Sequence, residues 1–124
     1  STRTGDKFMN ANLLYCFFCC ITLHVLAWFS TNMQLMSNFS WSSKSLLIAV
    51  CFAVPCTLCA YFGTKFGYAA LGESAWSARF FIHATSYLVF PFLTYYLLGE
   101  SMWTLKTMLS VLLSLVIILI QIYL

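Results

Sequence analysis

Residues 45–63 read SLLIAVCFAVPCTLCAYFG, a run without a single charged side chain. Its apolar residues do not alternate with polar ones, as they would on a lipid-facing β-strand. An α-helix needs about 20 predominantly apolar residues to cross the hydrocarbon core of a bilayer. This run meets that requirement, and three more do so around it: residues 11–31, 77–98 and 104–124. Short polar joints separate them. In hydrocarbon no water can satisfy the backbone, and a helix does so internally. The reading is an all-α integral membrane bundle of four transmembrane helices, forming one domain over residues 1–124.

Composition supports the same solvent. Hydrophobic residues make up 62% of the chain and charged residues 7%, with a mean hydropathy of +0.90. A soluble domain carries roughly a quarter charged residues, so this chain lacks the groups to cover a water-facing surface. The formal net charge of +3 comes from scattered single cations. Without a basic patch or an aromatic-interleaved stripe, it does not point to nucleic acid. The cations read as topology signals. Four spans place both termini and the 63–78 joint on one side, with Arg3, Lys7, Lys65 and, at the helix edge, Arg79, against Lys44 and Lys106 on the other. The positive-inside rule then sets both termini on the inner side. The expected location is a bacterial inner membrane or an organellar inner membrane.

The first stretch does not fit a secretory signal, because its apolar run exceeds the usual 7–15-residue length and no small-residue cleavage site follows before Asn32. Two readings of the start stand side by side. Met9 fits a start, making Ser1–Phe8 an added segment, or Ser1–Phe8 is the remainder of a cleaved targeting peptide.

The joints carry turn chemistry. Residues 1–10 are polar and expected at the interface. Trp41, in the joint 32–44, suits the interfacial aromatic belt. Pro55 and Pro91 fall inside the second and third stretches, where each removes a backbone donor. Residues 63–76 hold three glycines and read as a loop or a short broken helix. Gly99 suits the positive φ of a helix C-terminus, and Ser101 suits the cap of the last helix. Ser110 and Ser114, four apart, permit close helix approach.

Ionisable groups at membrane depth are costly, which makes the few present the candidates for function. Arg79, His83 and Tyr87 repeat every four residues, with Ser86 and Thr94 nearby, and share one face of the third helix. One reading is a binding or proton-handling face that points into the bundle. The plainer reading has Arg79 snorkelling to the interface and His83 held by a backbone carbonyl. His24 shares a face with Cys16, Cys20 and Trp28. Cys56 and Cys59 form a C-x-x-C, but no His follows for haem attachment, and Cys16, Cys19 and Cys20 spread around their helix. The six cysteines therefore read as reduced packing residues rather than metal ligands. Asp6, Glu73 and Glu100, the three acids, all lie in joints. No catalytic triad, carboxylate pair or phosphate loop is present, so neither enzyme activity nor a cofactor is expected.

Several short motifs carry a resemblance. They are Ala27-Trp28-Phe29, then Gly63-Thr64-Lys65-Phe66-Gly67-Tyr68, then Arg79 with Phe90 further along, and Leu98-Gly99-Glu100 before the last apolar stretch. From Leu13 onward the chain resembles the small four-helix members of the drug/metabolite transporter superfamily (EamA-like), particularly a bacterial family of about this length. The resemblance implies a transporter-like bundle that pairs with a second copy, its site near the bilayer midplane. It also implies acids inside the second and third helices, where this chain has Cys56 and His83. The helix 1 glutamate that small multidrug exporters use for proton coupling is missing too. That loss favours a second reading, a non-catalytic accessory subunit of a larger membrane protein complex. Expected partners are membrane lipid and either a second copy or such a complex. The candidate binding residues are Arg79, His83, Tyr87 and His24.

Overall fold

A computed structural model describes residues 3–36 and 44–124, with side chains from residue 11 onward outside that gap. Four helices follow one another: α1, Arg3–Asn32; α2, Ser45–Ala70; α3, Ala75–Leu98; and α4, Leu105–Tyr123. A 3₁₀ turn, Met33–Leu35, extends α1. There is no strand among the described residues. Four segments are long and apolar enough to cross a membrane: Ala11–Leu35, Ser45–Ala70, Ala75–Leu98 and Leu105–Tyr123.

The helices alternate in direction. Cys16 of α1 lies against Gly67 of α2, while Ser30 Oγ donates to the Ala49 carbonyl at 3.3 Å, so α1 and α2 run antiparallel. α1 and α3 run parallel, since His24 meets Thr85 and Trp28 meets Thr94. α4 returns along α3. The start of α1 and the end of α4 thus lie at the same end of the bundle. The packed centre is the triangle α1–α2–α3, around Cys16, Cys20, Ala70, Leu71, Phe81 and Ile82. α4 leans on α3 through a narrow seam, with Ser114 buried on it and Ile118 and Ile122 packing toward the core. Most of its remaining apolar side chains, such as Leu105, Leu112 and Leu113, are exposed.

Several boundaries differ from the sequence reading. α1 begins at Arg3, so residues 3–10 are helical rather than a separate polar lead. The 63–76 segment is mostly helix, with only residues 71–74 outside α2 and α3. α2 runs through it to Ala70, because Gly63 and Gly67 serve a helix contact rather than a break. A Cβ on Gly67 would sit 3.0 Å from Cys16 Sγ, and one on Gly63 would sit 3.5 Å from Cys19 Cβ. The 26 residues of α2 amount to about 39 Å of helix at 1.5 Å each. That exceeds a hydrocarbon core of about 30 Å, so the excess is taken up by tilt or by emergence at an end.

The turn into α3 is short. Gly72 takes φ 74° and Glu73 φ 54°, and Ser74 caps α3 by accepting from Ser77 N–H at 3.2 Å. Gly99 closes α3 in the left-handed conformation, φ 75°, as its position implied. The cap of α4 is Thr104, which accepts from Thr107 N–H at 3.3 Å. Ser101 instead accepts from Trp103 N–H within the turn, since the chain needs three more residues before it re-enters a helix. Pro55 and Pro91 stand inside continuous helices. Trp41, proposed for the aromatic belt, lies outside the described residues.

Exposed hydroxyls on the spans are satisfied locally. Thr22 donates to the Phe18 carbonyl, Thr57 to Ala53 and Ser110 to Lys106, each four residues back. This back-bonding lets a hydroxyl face hydrocarbon with its proton satisfied.

Candidate functional site

One face of α1 organises the interior. Asn12, Cys16, Cys20, His24 and Trp28 repeat every four residues, so a helix stacks them in a single stripe. All but His24 are buried, and His24 is half-buried. The stripe divides in two. Its first half, Cys16 and Cys20, presses on the glycines of α2, with the two sulfurs 3.9 Å apart. Its second half makes hydrogen bonds to α3. His24 Nε2 and Thr85 Oγ1 are 2.8 Å apart, and Trp28 Nε1–H donates to Thr94 Oγ1 at 3.0 Å.

The His24 tautomer follows from counting protons. Thr85 has one hydroxyl proton, and it goes to the Ile82 carbonyl at 2.7 Å. Both contacts are satisfied together when Thr85 Oγ1 accepts from His24, the tautomer with its proton on Nε2 and Nδ1 left as an acceptor. Thr85 is fully buried and Thr94 nearly so. Hydroxyls at those depths hold α1 and α3 in register as well as together.

Beside this seam lies a cleft of about 170 Å³, lined among the described residues by α1 and α3: His24, Ala27, Trp28, Thr31, Asn32, Ser86, Tyr87 and Phe90. Tyr87 also borders a second cleft of about 200 Å³ between α3 and α4, which includes Pro91, Lys106 and Ser110. Toward the other end of the bundle, α1, α3 and α4 enclose an apolar groove of about 410 Å³. Its walls are Leu, Ile and Phe throughout.

Of the four residues singled out from the sequence, the cleft brings together His24 and Tyr87. Arg79 and His83 do not join them. The expectation that the Arg79–His83–Tyr87 face points into the bundle is corrected: all three side chains are exposed, and His83 has no side-chain hydrogen bond among the described residues. α3 instead buries Ala78, Phe81, Ile82, Ala84 and Thr85. The reason is steric. The arc of α3 that meets α1 and α2 must be small or apolar to let the backbones approach, and an arginine there would hold them apart. Arg79 and His83 thus face whatever surrounds the chain, while Tyr87, also exposed, borders the two clefts.

Sequence reasoning missed Thr85, Thr31 and Asn32, and it missed the fit of Gly63-x-x-x-Gly67 to Cys16-x-x-x-Cys20. The glycine spacing was the available signal for that contact. Thr85 had none, because a lone threonine in an apolar run looks like any other back-bonded hydroxyl. All six cysteines are free thiols. Among the described residues no three His, Cys, Asp or Glu side chains converge as metal ligands.

Comparison of the chain with protein-family models, with curated proteins and with solved structures finds no match.

Proposed function

We propose that the chain is a transporter-type membrane subunit of the drug/metabolite kind, working as paired copies, with the α1–α3 cleft as its solute-binding face. The observation that carries this reading is the cleft itself. It gathers a half-buried histidine, a serine, a tyrosine and an asparagine among apolar spans, and polar groups at such depth are costly unless they serve a pathway or a partner. The pairing is supported by the exposure of nearly all of α4, a helix too apolar for water and too lightly packed to be the inner wall of a monomer. Both termini belong on the inner side, by the basic bias of their end of the bundle.

A second reading, a non-catalytic accessory subunit of a larger complex, is favoured by one observation. Arg79 and His83 stand exposed on a membrane span, where a neighbouring protein would supply partners that lipid does not. The two readings separate on size. Extracted gently from its native membrane, the chain of 14.1 kDa should run in native mass spectrometry as a discrete pair of identical copies. Recovery only within a large assembly of other proteins would overturn the transporter reading and support the accessory one.

A further inference from the structure

Apart from Tyr87, the described polar side chains of the α1–α3 cleft have already spent their protons on one another and on the backbone. Ser86 Oγ donates to the His83 carbonyl at 2.6 Å. Asn32 Nδ2 donates to the Trp28 carbonyl and to Thr31 Oγ1, and Thr31 donates to the Ala27 carbonyl. Trp28 and His24 give their N–H groups to Thr94 and Thr85. What remains is a set of acceptors: His24 Nδ1, Ser86 Oγ and Asn32 Oδ1. Among the described lining residues the one uncommitted donor is the Tyr87 phenol.

Charge narrows the ligand further. Among the described residues no carboxylate lines the cleft, and Lys106 lines the neighbouring one, across Tyr87. A cationic head would sit there without a counter-ion, and an anionic head would meet acceptors. The remaining class is neutral. Resting on the reading of this cleft as a binding face, we infer that it receives an uncharged amphiphile whose head donates a hydrogen bond, a hydroxyl or an amide N–H, with its apolar tail lying along Phe90 and the hydrocarbon outside. The ligand enters sideways from the bilayer, because among the described residues α1 and α3 alone wall the cleft.

Trp28 lines the cleft and reports on it. The full chain is placed in phosphatidylcholine nanodiscs, whose lipid heads donate no hydrogen bond. Trp41, Trp76 and Trp103 are changed to Phe so that Trp28 alone emits; wild-type protein, with all four tryptophans, serves as the check that these changes leave the ranking intact. Four bromine-labelled probes share one long chain and differ in the head: alcohol, methyl ether, amine and carboxylic acid. The alcohol should quench Trp28 saturably, at a concentration at least about tenfold below that of its ether, since a site built to bond a donor rejects the analogue lacking it. His24→Phe should erase that preference while circular dichroism shows the helices intact, and Ser86→Ala should reduce it. Equal quenching by alcohol and ether overturns the inference, as does tighter binding of the amine or the acid. The assay needs no flux, so the inference can fail while the transporter reading stands. Conversely, recovery within a large assembly defeats that reading whatever the probes show.

Discussion

α1 makes two contacts of opposite chemistry with the same face. Against α2 it is dry: Cys16 and Cys20 lie over Gly63 and Gly67, which have no side chain to bond. Against α3 it is polar: His24 and Trp28 bond to two buried hydroxyls. Lipid tails are as apolar as leucine, so neither seam gains from hiding apolar surface. The dry seam holds by closeness, which gives dispersion its full value. The polar seam holds because an unpaired N–H in hydrocarbon is expensive. The first should tolerate no added volume, and the second should tolerate volume but not lost partners.

The strongest way to break this contrast is Gly67→Leu. Its first side-chain carbon would already meet Cys16 Sγ at 3.0 Å, and the rest of the side chain has nowhere to go. We expect a loss of about 3 kcal/mol or more, seen as a large fall in the melting temperature in detergent micelles. Gly63→Ala is the internal control. Its new methyl meets Cys19 Cβ at an ordinary 3.5 Å, so the change should stay within about 1 kcal/mol. Equal damage at the two glycines would show that closeness is not what the dry seam depends on.

The polar seam should answer differently. Thr85→Val keeps the volume but strands the His24 Nε2–H, and the expected loss is about 1–2 kcal/mol. A double-mutant cycle with His24→Phe should return a coupling of about 0.6 kcal/mol, the average for hydrogen bonds between membrane helices, and no more than about 1.7. A coupling near zero would mean that the two residues merely sit side by side. Trp28→Phe should cost less than Gly67→Leu, on the order of 1 kcal/mol beyond the lost ring area, because Thr94 is left without its donor.

The smallest effect belongs outside both seams. Ser110→Ala on α4 removes a hydroxyl that bonds only to its own helix, at the Lys106 carbonyl. Stability should change by less than about 0.5 kcal/mol. Ser114→Leu, one turn on and buried against α3, should cost about 1–3 kcal/mol. If the pair behaved alike, α4 would not lean on α3 by the narrow seam described above.

The limits of the sequence reading follow from the same contrast. The stripe Cys16–Cys20–His24–Trp28 was visible as a four-residue repeat, and it is the interior face of α1. The stripe Arg79–His83–Tyr87 was equally visible, and it is exposed. In water, polarity would have told the two apart. In a bilayer an apolar stretch offers no such cue, because lipid and protein interior are both apolar. The glycines at 63 and 67 misled in a related way, since in a soluble chain they would have marked a break.

The sequence by itself determined the number of helices, their approximate spans and the solvent they live in, because those follow from length and hydropathy summed over about 20 residues. It determined the Gly99 stop, because only a residue free at positive φ closes a helix that way without strain. Which face of each helix turns inward was decided by the tertiary structure alone. So was the meeting of His24 with Thr85, sixty-one positions away, and of Trp28 with Thr94. Facing depends on how closely two backbones can approach, and that is a property of pairs of helices which no single segment carries.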